Sequence, residues 1–304
     1  ANAHHKSIGE YHIGKLRNTG VEARLRFNLI QDAVKDLRWN VTLSAFHNQS
    51  KITQLSNQLE TINQYANDDR ANQGTVVYRQ FEAGRSQTAL MVVRSGGIDP
   101  ATGREVFLKK DGTQTFLYSA SDEVIVGSSV PDVEGIVGMS FYYKKLSASF
   151  SFRYSLGKET MASALYDKVE NITQDNIGRN QDKRALYDRW KKPGDEKVTD
   201  IPALIKGLNY SFTRPDGQPQ DYIAAWEQSD YMVVNASFLR CRQISLAWNV
   251  ERRLCQKIGV NSISLNATVN NIFVIASKRF NGFDPEVDNS VMPRTFSAGI
   301  NIGF

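Results

Sequence analysis

The chain has 304 residues, 41 % of them hydrophobic and 10 % aromatic, with a formal net charge of +5. Its mean hydropathy of −0.41 reads as soluble, and no run of about 18 apolar residues is present, which excludes a transmembrane helix. A barrel strand is not excluded, because it hides half its residues from lipid and its hydropathy averages to nothing. Lys and Arg are spread through turns and loops, whereas a nucleic-acid surface requires a clustered basic patch; nucleic acid is therefore not an expected partner.

The first residues, A-N-A-H-H-K-S-I-G-E, have neither the basic nor the apolar region of a signal peptide. The expectation is a chain that starts inside a longer protein. Gly20 opens the first clear strand: Val21, Ala23, Leu25, Phe27 and Leu29 alternate with Glu22, Arg24, Arg26 and Asn28. After a polar turn, Leu37, Trp39, Val41, Leu43 and Ala45 alternate with Arg38, Asn40, Thr42 and Ser44. This period of two is the mark of a strand with two different faces.

Gln49 to Pro131 is long and mixed, and two further strands are expected there, near Val76–Val93 and Arg104–Tyr118. The cleanest hairpin follows. Val137, Met139, Phe141 and Tyr143 alternate with Gly138, Ser140 and Tyr142, Lys144-Lys145 turns the chain, and Leu146, Ala148, Phe150, Phe152 and Tyr154 alternate with Ser147, Ser149, Ser151 and Arg153. A soluble protein's exposed face carries Lys, Glu and Thr; a face of small hydroxyls suits a wet lumen.

Leu156 to Asp230 is the longest irregular stretch. Ile244, Leu246 and Trp248 then form a strand that pairs, after a turn around Arg252-Arg253, with Ile263, Leu265, Ala267 and Val269. Beyond the Ala276–Pro293 loop, Phe296, Ala298, Ile300, Ile302 and Phe304 alternate with Thr295, Ser297, Gly299, Asn301 and Gly303, and the sequence stops on an aromatic residue. Short turns at one end and long loops at the other are the pattern of an outer-membrane barrel. The expectation is about nine strands. Bacterial single-chain barrels have an even number, and open edges are not tolerated in lipid, so a missing N-terminal portion is expected to complete the barrel.

Sites of covalent chemistry are not apparent. G-x-S-x-G, H-E-x-x-H and phosphate-cradling glycine motifs do not occur, no carboxylate pair stands out, and the reading is not an enzyme. His4-His5 would point apart in a strand and have no third ligand spaced with them; His4, His5, His12 and His47 read as loop histidines, and neither a metal nor a cofactor is expected. Cys241 and Cys255 are separated by at least ~25 Å if Cys241 lies in a strand ending near Asn249. A disulfide needs Cα atoms within about 7 Å, so free thiols are expected.

The 156–230 loop holds Tyr187, Trp190, Tyr210 and Trp226. Such rings could stack on sugars or line a ligand cavity, or simply pack the loop. Arg184–Trp190 reads as a short helical turn with interface-type residues. Asp284-Pro285-Glu286 is acidic; it could meet a cation, but a solvated turn is the expectation.

Several motifs together resemble one family. Tyr11 to Leu25 resembles the N-x-G-K-x-x-N-x-G-x-E strand opening of TonB-dependent transporter barrels. G-G-I-D-P-A-T-G-R-E-V-F (Gly96 to Phe107) with K-D-G (Lys110 to Gly112), V-G-S-S-V-P-D-V-E-G (Val126 to Gly135), N-A-S-F-L-R-C-R-Q-I-S-L-A-W (Asn235 to Trp248), N-N-I-F (Asn270 to Phe273), G-F-D-P-E-V (Gly282 to Val287) and the Met292 to Phe304 ending are similar to motifs of its SusC/RagA branch, in the right order over most of the chain. Cys241 and Trp248 depart from its usual residues.

The resemblance implies an all-β fold: a transmembrane antiparallel β-barrel of 22 strands, of which residues 1–304 are the C-terminal part, with the plug and N-terminal strands absent and an extracellular loop over 156–230. It implies TonB-dependent import of oligosaccharides or oligopeptides across the bacterial outer membrane of Bacteroidetes. A SusD-like surface lipoprotein would act as lid, with TonB reached through the missing plug. Tyr187, Trp190, Tyr210 and Trp226 would be ligand or lid contacts, and Phe296 and Phe304 the signal read by the barrel-assembly machinery. The alternatives are a small passive outer-membrane channel or adhesin and, less favoured, a soluble β-sandwich carbohydrate-binding module.

Overall fold

The computed structural model describes residues 14–71, 81–170, 172, 178, 180–204, 211–213, 219–221, 229–280, 283–287 and 290–304. In chain order the strands are β1 (Gly14–Asp32), β2 (Leu37–Leu55), β3 (Ala89–Val92), β4 (Arg94–Ile98), β5 (Glu105–Leu108), β6 (Gln114–Thr115), β7 (Val124–Ser128), β8 (Val133–Tyr143), β9 (Leu146–Leu156) and β10 (Glu159–Met161). They continue with β11 (Ser211–Thr213), β12 (Pro219–Asp221), β13 (Val233–Asn235), β14 (Phe238–Asn249), β15 (Ser262–Ala276) and β16 (Thr295–Gly303). Helices cover Asn57–Ala71, Lys183–Tyr187 and Arg252–Lys257. None is long and apolar enough to cross a membrane.

The long strands form one seven-stranded sheet, ordered β1-β2-β8-β9-β14-β15-β16. Its register aligns the apolar positions across neighbours. Trp39 pairs with Phe141, Phe141 with Ala148, Ala148 with Leu246, Leu246 with Ala267, and Ala267 with Ala298. Two positions along, Val41, Met139, Phe150, Ile244, Val269 and Phe296 form a second row. Between them runs Asn40, Ser140, Ser149, Ser245, Thr268 and Ser297. A slip of one residue at any pair would put an apolar face among these hydroxyls, so the pattern fixes the register. The apolar face stays uncovered: Leu25, Phe27, Leu246, Trp248, Phe296 and Ile300 are all exposed.

β8 and β9 are 11 residues each and β14 is 12, close to the 9–11 or so that a tilted strand needs to span a hydrocarbon core. The three short connections fall at one end of this antiparallel series. Lys144 takes a left-handed conformation (φ 53°) in the β8–β9 turn. The Arg252-Arg253 turn is more than a turn: the helix Arg252–Lys257 buries Cys255, whose thiol faces the Val250 carbonyl. Cys241 is also buried, and both thiols are free.

Two of the nine expected strands are not in this sheet. Among its described residues, the segment from Gln49 to Pro131 contributes only the end of β2 to this sheet; beyond it β3 pairs with β7, and β4, β5 and β6 form a separate sheet. The physical reason lies in their residues. Ala-Leu-Met-Val of β3 and Glu-Val-Phe-Leu of β5 do not alternate, and Val92, Val106 and Phe107 are buried. They are strands of a small core, not ribbons with a lipid face. β1 and β2, by contrast, run to 19 residues each. Both extend past the alternating stretch into mostly polar residues, among which only Leu16, Ile52 and Leu55 are apolar and Ile52 is buried.

By packing, the chain divides into two units. One comprises Ala1–Thr19, Gln49–Ser128 and Tyr166–Val233; the other comprises Gly20–Asn48, Ser129–Leu165 and Val234–Phe304 and holds most of the long sheet.

Candidate functional site

On the polar face of the long sheet, serine and threonine give way to charge towards the long-connection end. Arg153 on β9 and Arg240 on β14 are directly paired positions. Glu134 on β8 lies on the same face and takes a hydrogen bond from Arg153 Nη2 at 3.1 Å. The β15–β16 connection supplies the remaining partners. Arg240 donates through Nε to Glu286 and through Nη2 to Asp284, and Arg153 Nη1 lies 2.7 Å from the other Glu286 oxygen. Glu134, Arg153, Glu286, Arg240 and Asp284 thus form one unbroken series. The Phe238 ring sits between the guanidinium groups, 5.9 Å from Arg153 and 5.8 Å from Arg240.

The series is graded in burial. The side chains of Arg240 and Asp284 are 4 % and 5 % exposed, whereas those of Arg153 and Glu134 are 40 % exposed. Removing one partner of a pair as buried as Arg240–Asp284 costs about 3–5 kcal/mol, because the other charge is left uncompensated; the exposed pair contributes at most about 1 kcal/mol. The expectation of a solvated Asp284-Pro285-Glu286 turn is therefore corrected. The turn does meet a cation, but the cation is Arg240, brought to it from 44 or more positions away along the chain by the fold. Asp284 Oδ1 also accepts from the Glu286 backbone N–H at 2.9 Å, so the turn arrives at the arginine already shaped.

This connection borders two cavities. One, of about 610 Å³, is lined by Phe273, Lys278, Phe283 and Arg294 together with Arg240 and Asp284. The other, of about 160 Å³, lies against Lys158, Met161 and Leu165. The N-N-I-F motif has its own local reason. Asn271 takes φ 54°, a left-handed conformation that asparagine tolerates, where the β14–β15 register shifts. Its side-chain amide donates to the Pro293 carbonyl at 3.2 Å.

In the other unit, the D-P-A-T-G motif is a turn between β4 and β5. Asp99 accepts from the Thr102 N–H at 2.8 Å, and Gly103 N–H donates back to the Asp99 carbonyl at 2.8 Å. Gly103 has φ +70°, and a Cβ there would lie 2.2 Å from Cε3 of Trp190. The indole therefore lies against the glycine. Arg189 beside it is buried and donates to the carbonyls of Ala185 at 2.6 Å and Val169 at 2.8 Å. Burial draws its pKa down, with Glu170 and Glu105 opposing. The expected helical turn is present as Lys183–Tyr187, capped by Asp182, which accepts from the Arg184 N–H at 2.9 Å.

Of the expected contact residues, Tyr187 is 73 % exposed, and Trp190 is half-buried with no hydrogen-bond partner for its indole N–H among the described residues. Tyr210 and Trp226 lie outside the described residues. Phe296 and Phe304 are 76 % and 90 % exposed, and Phe304 directly follows the end of β16. His47 donates from Nδ1 to the Asp132 carbonyl at 2.6 Å; His4, His5 and His12 lie outside the described residues. Sequence reasoning missed Arg240, Arg153 and Glu134 as a group. The available signal was arginine at polar-face positions, Arg153 on otherwise uncharged β9 and Arg240 on β14, where Arg242 is also charged.

A sheet whose apolar rows are exposed and whose small polar rows oppose them defines the class: a segment of a transmembrane antiparallel β-barrel, not closed on itself. No family model matches the chain. It is 25 % identical over 189 residues, 62 % of its length, to a TonB-dependent receptor of Formosa agariphila. It is 26 % identical to the TonB-dependent receptor SusC of Bacteroides thetaiotaomicron over 96 % of its length. The chain spans 16 % and 27 % of the length of these relatives. Among solved structures, the RagAB peptide transporter gives a TM-score of 0.67 at 23 % identity, covering 96 % of this chain and 30 % of that one. The RagAB peptide importer in its open-open state gives 0.68 at 23 %, covering 96 % and 29 %. These findings bear out the resemblance: in sequence the chain is similar to TonB-dependent receptors, SusC among them, and in fold to the RagAB transporter, relatives that are receptors and transporters and not enzymes.

Proposed function

We propose that the chain supplies the C-terminal barrel strands of an outer-membrane importer of oligosaccharides or oligopeptides, working by conformational gating with no covalent change to its cargo. An N-terminal barrel-and-plug portion completes the wall, TonB couples through that plug, and a SusD-like surface lipoprotein caps the extracellular side. In this reading the 156–230 connection is extracellular, and Tyr187, Trp190, Tyr210 and Trp226 face lid or cargo. The observation that carries it is the register of the seven-stranded sheet. Six neighbouring strands hold their apolar side chains in common rows and their hydroxyls in the rows between. That arrangement gains stability only where one face meets lipid and the other water.

Native mass spectrometry of the detergent-extracted material, with peptide sequencing of every component, tests it. The expected result is a barrel-and-plug polypeptide and a lipoprotein co-purifying with these sequences, with any retained ligand mass separating glycan from peptide. A lone 34 kDa species that stays soluble without detergent would overturn it.

A further inference from the structure

We infer that the turn at 283–287, between β15 and β16, is a strap locked onto the inner wall by ions, and that Glu286 is its positioning residue. It is a fixed part of the wall, not a flap that opens. The inference rests on the transporter reading only for the word wall; the lock itself stands on geometry.

Arg153 and Arg240 are like charges at paired positions of adjacent strands, an arrangement that is destabilising by itself. Glu286 gives one carboxylate oxygen to each. The strap's acid is thus what permits the two arginines to stand together, and the arginines hold the strap. Arg240 divides its fork between two carboxylates, Nε to Glu286 and Nη2 to Asp284. A lysine could carry the charge but could not present two donors in that fixed geometry. Lys158 and Arg279 line the smaller cavity on the strap's other side, and Lys278 and Arg294 line the larger one, so acidic residues of the strap face positive charge on both sides. An opening motion would have to separate Asp284 and Glu286 from Arg240 with both acids nearly buried.

Hydrogen–deuterium exchange on the complete membrane protein in detergent tests this. The amides of Phe283, Asp284, Glu286 and Val287 are expected to be as protected as those of β14. Glu286→Gln should speed their exchange by about tenfold or more, Asp284→Asn by less, and Glu134→Gln should leave them unchanged. Arg240→Lys should give an intermediate loss, while exchange in β8 and β9 stays at the parent level in all four. A strap that exchanges freely in the parent protein, or one indifferent to Glu286→Gln, would overturn the inference. Both outcomes are read without cargo, lid or TonB, so they leave the import reading untouched.

Discussion

Arg153 and Arg240 face each other across β9 and β14, and a single carboxylate, Glu286, bonds both. This places an ionic element, buried at its Arg240–Asp284 end, on the polar face of the sheet. Breaking the buried Arg240 contacts should lower stability by about 3–5 kcal/mol. In thermal unfolding followed by tryptophan fluorescence, Arg240→Met should drop the midpoint clearly, whereas Glu134→Gln, on the exposed arm of the series, should shift it by roughly 1 kcal/mol or less.

Gly135 is the second close fit. A Cβ there would lie 1.9 Å from the Ser44 carbonyl oxygen and 2.7 Å from the Tyr154 hydroxyl. The Tyr154 hydroxyl passes over the glycine and donates to that same carbonyl at 2.9 Å. Gly135→Ala is expected to destabilise by about 1–3 kcal/mol through overpacking, and Tyr154→Phe by about 1 kcal/mol through one lost hydrogen bond. Gly138→Ala is the control: a Cβ there meets nothing within 4 Å, so urea titration should find it unchanged.

The cap of the Lys183–Tyr187 helix predicts a pH dependence. Hydrogen bonding to the Arg184 side chain, with lesser help from its backbone, holds the Asp182 carboxyl below its ordinary value. A group whose folded pKa is depressed contributes stability that is full above the unfolded value, about 3.9 for Asp. That contribution is lost as pH falls from there through the lower folded pKa. Exchange protection of the Arg184 amide should therefore fall on acidification through that window. In Asp182→Asn the fall should be absent, with protection lower throughout.

Phe304 separates an assembly role from a packing role. It is 90 % exposed, so Phe304→Ala should change the unfolding midpoint of assembled protein little. If it carries the assembly signal, the same substitution should reduce the amount reaching the membrane in folded, heat-modifiable form. Equal yields from parent and variant would leave it as a girdle residue only.

What the sequence made legible follows from the range of each interaction. The hairpins at β1–β2, β8–β9 and β14–β15 were readable because a lipid face forces alternation, and alternation is local. The ends of β1 and β2 were not, because Gly14–Thr19 and Gln49–Leu55 do not alternate apolar with polar. β3 and β5 were mistaken for members of the large sheet because an apolar run shows strand propensity without saying which sheet it joins. The charged site was hidden for a different reason: Glu286 and Arg240 are 46 positions apart, and no period links them. Trp190 was visible as an aromatic in a loop, but its seat on Gly103 depends on a turn 87 positions earlier.

The central claim is that the aligned apolar rows face lipid and the hydroxyl rows face water. Spin labels placed one at a time from Gln243 to Asn249 of β14, in protein with Cys241→Ser and Cys255→Ser reconstituted in bilayers, test it directly. Collision with oxygen, which concentrates in lipid, should peak at Ile244, Leu246 and Trp248. Collision with a water-soluble nickel chelate should peak at Gln243, Ser245 and Ala247. The two profiles should run in antiphase with a period of two. Profiles without that period, or chelate access equal on both faces, would contradict the account.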